Sequence, residues 1–232
     1  QGERALLVGQ TGSGKTEFAK WLLERLTNSP IVIYDTKGEE AFDRLPRAVT
    51  VRSKLALLEA LKDPESDYLV YRVPPEVIAD SEALDGLLLE HFYERPGTDV
   101  YVDELFSFSQ NGRAGPGLVA LLTQGRSKGI TTVMAAQRPS WLSRFALTET
   151  QHYYIFRLVD NKDRVRLGDV IPEFAALENP PPFGFYYYRA GADEPVLMDK
   201  IALDKISGKG DTAPADDTAP DSPDTETSLN WI

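Results

Sequence analysis

Residues 9–16 read Gly-Gln-Thr-Gly-Ser-Gly-Lys-Thr, which fits the pattern G-x-x-x-x-G-K-[ST]. This pattern limits the fold sharply, because it works only as a loop between a buried strand and the start of a helix. Both flanks are present. Ala5-Leu6-Leu7-Val8 is a short apolar run, and Phe18, Trp21, Leu22 and Leu26 follow at helical spacing. Gly9, Gly12 and Gly14 let the backbone curl so that successive N–H groups around Gln10, Thr11 and Ser13 face one centre. The helix behind them adds its partial positive end. Such a loop takes a nucleoside triphosphate, with ATP and Mg²⁺ as the expected ligands. Lys15 is expected to reach the β- and γ-phosphates and Thr16 to ligate the metal.

Strand-like and helical stretches alternate along the rest of the chain. The strands are read at Ala5–Val8, Ile31–Tyr34, Tyr68–Val73, Val100–Val102, Thr131–Ala135, Tyr153–Leu158 and Phe183–Tyr188, with helices near 15–27, 53–62, 81–94 and 117–127. This alternation implies an α/β fold, with a mainly parallel sheet flanked by helices. Arg189–Asp193 separates the last two runs, 183–188 and 194–198, which read as an antiparallel hairpin added at an edge. Residues 1–206 form one P-loop domain on this reading. Ser107–Gly117 is rich in helix and strand breakers and reads as a mobile loop. Residues 207–232 hold six acids against one base and read as an acidic, disordered tail. Its apolar tip, Leu229, Trp231 and Ile232, suits a tethered docking peptide for a partner protein or a neighbouring subunit.

A second acidic element completes the nucleotide site. Asp99-Val100-Tyr101-Val102-Asp103-Glu104 is an apolar strand ending in two carboxylates. Asp103 is placed to hold Mg²⁺ through water, and Glu104 to polarise the attacking water as a general base. That pair favours hydrolysis over binding alone. Gln137 ends the next strand, where ligands sit in parallel sheets. It is expected to sense the γ-phosphate or orient the water, the alternative being a strand-capping amide.

Charge narrows the partner. The chain carries a net −11, which does not suit a protein that coats DNA indiscriminately. Yet Leu105–Thr148 contains no Asp or Glu, while Arg113, Arg126, Lys128, Arg138 and Arg144 lie within it. This stretch reads as a surface facing phosphates. Cysteine is absent, which excludes a disulfide framework, a thiol nucleophile and a zinc–thiolate site. An intracellular (cytoplasmic) setting is the default, since no apolar run approaches a membrane span. The chain opens on Gln1 rather than Met, so a preceding segment is expected.

Five segments occur in a telling order: Gly9–Thr16, Tyr34-Asp35-Thr36-Lys37-Gly38-Glu39, Val102-Asp103-Glu104, Gly125-Arg126-Ser127-Lys128-Gly129-Ile130 and Ala136-Gln137-Arg138-Pro139. Together they resemble the FtsK–HerA superfamily of ring-forming, DNA-pumping ATPases over about residues 4–170. The small size looks most like the genome-packaging ATPases of tailless icosahedral viruses with an internal membrane. The resemblance implies a RecA-like core, hexameric rings, double-stranded DNA as the partner, and sites completed by a neighbouring subunit. It also implies that Arg126 is the finger inserted into that neighbour's site, with Lys128 and Arg138 as rivals. Asp35 and Lys37 are expected to shape the exit of the second strand rather than to do chemistry. A cellular or conjugative DNA pump is the alternative within the class. A phage assembly or secretion ATPase acting on protein partners is the alternative outside it, and a nucleotide-gated binding module is a third. His91 and His152 read as structural, Tyr186–Tyr188 as an edge strand with two faces, and Asn161–Arg166 as a charged helix start.

Overall fold

Short strands buried on both faces have to be covered by helices on both sides, and this sets the architecture. The computed structural model describes residues 2–26, 30–62, 66–110 and 112–199. The strands are β1 (Arg4–Val8), β2 (Ile31–Asp35), β3 (Ala48–Val51), β4 (Tyr68–Arg72), β5 (Val100–Val102), β6 (Ser109–Gln110), β7 (Arg113–Ala114), β8 (Thr132–Ala136), β9 (His152–Ile155), β10 (Phe185–Arg189) and β11 (Val196–Met198). The helices are α1 (Lys15–Leu23), α2 (Lys54–Ala60), α3 (Pro75–Ile78), α4 (Ser81–Glu94), α5 (Pro116–Gln124), α6 (Arg144–Thr148) and α7 (Asn161–Gly168).

Nine strands form one sheet in the order β11-β10-β9-β1-β8-β5-β2-β4-β3. From β9 to β3 all neighbours are parallel, while β10 and β11 add the antiparallel hairpin expected at one edge. Strand alternation sorts the core into two layers. Leu6 and Val8 of β1 join Leu84, Leu88, Leu118 and Leu121 of α4 and α5. Ala5 and Leu7 join Phe18, Trp21 and Leu22 of α1.

Three readings need correction. β3 was not expected; it pairs with β4 and closes the far edge of the sheet. Phe183 and Gly184 lie outside β10, which begins at Phe185, and β11 rather than the tyrosine strand is the edge. The tyrosines do show two faces, Tyr186 and Tyr188 packing in one layer and Tyr187 in the other. Within the breaker-rich segment Ser107–Gly117 the described residues form regular elements: a single 3₁₀ turn (Leu105–Phe108) leads into β6, β6 pairs antiparallel with β7, and α5 starts at Pro116. Its far end is anchored by Asp85 of α4, whose carboxylate accepts from Gly117 N at 2.8 Å and Leu118 N at 2.9 Å. A Cβ on Gly117 would come within 2.2 Å of the Asp85 carbonyl oxygen, so glycine is what lets α4 and α5 approach this closely. Among the described residues no helix is long and apolar enough to cross a membrane. The acidic tail at 207–232 and its apolar tip lie outside the described residues.

Candidate active site

The phosphate loop is pinned between two strand ends. Gly9 N donates to Ala136 O of β8 at 3.2 Å, and Gln10 N to Arg157 O beyond β9 at 3.1 Å. A Cβ on Gly9 would stand 2.6 Å from Phe156 Cβ, so only glycine permits this approach. Gly14 caps α1 in the left-handed conformation, φ 98°. Lys15 is buried, and its Nζ donates to Gly9 O at 2.7 Å. Burial, and secondarily the nearby Lys37 ammonium, lower its pKa to about 8. A desolvated ammonium held by a single carbonyl is poised to accept an anion.

Beside the loop, the carboxyl ends of β8, β5 and β2 bring the acidic residues into the same cleft. This cleft of about 370 Å³ is lined by the loop together with Lys37, Glu39, Tyr101, Asp103, Gln137 and Phe183. Lys37 Nζ lies 3.0 Å from Glu104 Oε2 and 3.5 Å from Asp103 Oδ1. Burial alone would lower the Lys37 pKa, but the two facing carboxylates raise it. Asp103 is buried, which raises its pKa to about 6 against the opposing pull of Lys37. Its Oδ2 has no hydrogen-bond partner, and neither has the buried Ser13 Oγ of the loop. Thr36 Oγ1 fixes the Asp103 backbone by donating to its carbonyl at 2.9 Å.

Glu104 takes the left-handed conformation, φ 58° and ψ 74°, a strained state for a non-glycine residue. Its Oε1 faces the backbone N–H of Gln137 at 3.4 Å. Gln137 in turn accepts from Thr11 Oγ1 at 3.2 Å. The phosphate loop, the two carboxylates and the Gln137 amide are therefore brought together.

Other residues are placed differently. Asp35 and Lys37 were both assigned to strand geometry; Asp35 has that task, its Oδ1 accepting from the N–H groups of Lys37, Gly38 and Glu39 at 3.1, 2.7 and 3.2 Å, and Lys37 does not. The turn built by Asp35 carries Lys37 into the cleft. Arg126 is not at its own subunit's cleft. It sits on a 3₁₀ turn (Gly125–Lys128) before β8, against Gly2, whose added Cβ would meet Arg126 Cα at 2.7 Å. That is the amino end of β1 and β8, roughly 15 Å of strand away from the loop, and Arg126 is exposed there.

The rival arginine and lysine are engaged elsewhere. Arg138 pairs with Asp160 and with Asp163, the latter at 2.8 Å, and covers the Trp141 ring. Lys128 Nζ lies over Phe92 at 4.7 Å. The acid-free stretch is thus less cationic than its composition, since Arg138 is neutralised from outside it. His91 is structural as expected: it is buried between Tyr34 Oη and Thr98 O, and burial lowers its pKa to about 4. Phe183, read only as the start of a strand, stands in the cleft, and its signal in the sequence is the turn-forming run Pro-Pro-Pro-Phe-Gly.

No known protein-family profile matches the chain. A curated relative, the DNA packaging ATPase P9 of Enterobacteria phage PRD1, is 30% identical over 210 residues, covering 86% of this chain and 87% of P9. The genome packaging NTPase B204 of Sulfolobus turreted icosahedral virus 2, solved with ATP-γS, superposes with TM-score 0.67 at 16% identity, covering 86% of this chain and 98% of B204. VirB4 of Thermoanaerobacter pseudethanolicus gives TM-score 0.60 at 12% identity, covering 87% of this chain and 90% of that one. The two structural likenesses establish the α/β P-loop fold.

Proposed function

The chain belongs to the family of the phage DNA packaging ATPase P9, and from that premise we propose that it hydrolyses ATP to drive double-stranded DNA into a viral capsid. The observation that carries the chemistry is the convergence of Lys15, Thr16, Asp103 and Gln137 on one cleft, with Glu104 held at its edge by Lys37.

The residues divide the reaction between them. Lys15 exchanges the Gly9 carbonyl for the β- and γ-phosphates, and the loop N–H groups take the remaining phosphate oxygens. The donor set suits Mg²⁺, since Asp103 offers a buried oxygen without a partner and Thr16 a hydroxyl in the same cleft. Among the described residues no group of three or more acidic or histidine side chains could cage a metal alone, and Mg²⁺ is ordinarily bound by one or two carboxylates plus substrate phosphates. Bound there, Mg²⁺ would neutralise charge developing on the phosphates. Glu104 takes a proton from water as the water oxygen bonds to the γ-phosphorus and the bond to the bridging oxygen of ADP breaks. Lys37 positions Glu104 for this, and Gln137 orients the water.

Arg126, exposed at the opposite end of the sheet, is free to enter a neighbouring subunit's cleft in a homo-oligomeric ring, which we take to be a hexamer. The remaining partner is a capsid or membrane-vertex protein, recruited through the tail. ATPase activity measured with and without double-stranded DNA across a salt series tests the reading. Stimulation that fades as salt rises is expected, because contacts to the phosphate backbone release counterions. ATP turnover indifferent to DNA at every salt concentration would overturn it.

A further inference from the structure

Lys37, Asp103 and Glu104 lie on the β8, β5 and β2 side of the phosphate loop. Toward β10, the start of α1 is flanked at Gly14 by Phe156 and Phe183, and packing does not explain Phe183. Phe183 is 59% exposed and has a φ of 65°. It occupies the third position of a tight turn in which Gly184 N donates to Pro181 O at 2.9 Å. A positive φ at that position marks a type II turn, where glycine or asparagine is the ordinary choice. The turn cannot slide to place Gly184 there instead. A Cβ at 184 would stand 2.9 Å from Pro181 Cγ and 3.1 Å from Met198 O, so that glycine is already required. A bulky aromatic thus bears backbone strain without being buried in return, and strain of this kind collects at ligand sites.

The ring points at the phosphate loop. Phe183 Cδ1 lies 3.3 Å from where a Cβ on Gly14 would be, and Phe183 lines the cleft together with Gly14, Lys15, Thr16 and Glu17. It therefore flanks the start of α1, at the end of the loop remote from Glu104 and Gln137. A nucleotide whose terminal phosphate faces those residues has its base at the other end of the cleft.

We propose that Phe183 is the seat of the nucleobase, its exposed ring stacking on the base of the bound nucleoside triphosphate; this rests on the nucleotide-site reading above. The three prolines before it, Pro180–Pro182, make a stiff stalk that fixes the ring before ligand arrives. A π face is common to every base, so the seat contributes affinity with little discrimination between purines.

Equilibrium binding of ATP-γS, GTP-γS and inorganic tripolyphosphate, each with Mg²⁺, separates base from phosphate. Phe183→Ala should weaken both nucleotides about 10- to 100-fold, the range for losing one base–aromatic stack, and leave tripolyphosphate unchanged. Phe183→Tyr should bind like the wild type. Phe183→Gly removes the same ring but relaxes the backbone, so it should melt above Phe183→Ala while binding nucleotide no better. Recovery of affinity in the glycine variant would show that loop conformation matters and not the ring, overturning the proposal. So would equal loss of tripolyphosphate and nucleotide, or unchanged nucleotide affinity in Phe183→Ala. A wild-type protein that bound none of the three ligands would instead overturn the nucleotide-site reading, and the base seat with it.

Discussion

The two flanks of the phosphate loop are built on opposite principles. On the β8–β5–β2 flank two carboxylates and two ammonium groups are crowded together, largely out of water, with Lys37 bridging Asp103 and Glu104. On the β9–β10 flank Phe156 is buried behind the loop and Phe183 stands exposed in front of it. Each flank carries one strained residue of a non-glycine type, Glu104 at φ 58° and Phe183 at φ 65°. In the reaction proposed above, the strain on the charged flank aims a proton acceptor, whose chemistry tolerates little displacement. On the aromatic flank it presents a surface, whose contribution is affinity. Variants of Glu104 and Lys37 on the first flank should therefore lower turnover at constant affinity, and variants of Phe183 on the second should lower affinity.

The largest effect is expected from a residue on neither flank. Arg126→Ala should reduce kcat by about 10³- to 10⁵-fold, the range for an arginine finger, with ATP affinity intact. Mixing Arg126→Ala with Lys15→Ala protein should restore part of the activity, because each lacks a different half of a shared site. Absence of recovery in rings shown to contain both would assign Arg126 a role within one subunit, and the contrast would have to be redrawn around an incomplete cleft.

Glu104→Gln comes next, with an expected loss of about 10²- to 10⁴-fold in kcat, the usual contribution of a general base. ATP-γS affinity should stay at the wild-type level. Combined with Phe183→Ala, the two losses should simply add in free energy, as expected for separated groups. A coupled result would break the division between the flanks. Lys37→Ala should cost about tenfold in kcat, the scale of one hydrogen bond to a charged group, again without loss of affinity. Partial rescue by Lys37→Arg would identify positioning of Glu104 rather than general disruption of the β2 turn.

The same contrast explains what was legible in the sequence. Phosphate binding and water activation demand particular residue types at fixed spacing, so the grouping of Gly9–Thr16, Asp103, Glu104 and Gln137 around one cleft could be read directly. The sheet was legible for a related reason, since its central strands are buried on both faces and appear as unbroken apolar runs. β3 was not, because Ala48–Val51 is partly exposed along its length and short. Lys37 escaped because a lysine after a strand is ordinary; only the turn that Asp35 caps shows where it goes. Phe183 escaped because an aromatic residue next to a tyrosine-rich strand reads as more strand. Its position depends on the Pro181–Gly184 turn and on Met198 of a neighbouring strand, which are facts of packing rather than of spacing.

The smallest expected effect concerns the hairpin that grows out of the charged flank. Glu104 leads through one 3₁₀ turn to β6 and β7, and Phe106 of that turn packs on Trp141, just beyond Gln137, at 5.1 Å between ring centroids. The segment is thus tied to Glu104 directly and to Gln137 through Trp141. Arg113 on β7 is exposed and has no ion pair among the described residues, which leaves its charge available to a phosphate backbone. If the hairpin contacts DNA, Arg113→Ala should leave basal ATPase unchanged and lower the DNA-stimulated rate. The slope of log affinity against log salt should also fall by about one, the loss expected for a single phosphate contact. An unchanged slope would remove Arg113 from the DNA surface. Equal loss of basal and stimulated turnover would make the hairpin part of the nucleotide site, extending the charged flank outward along β6 and β7.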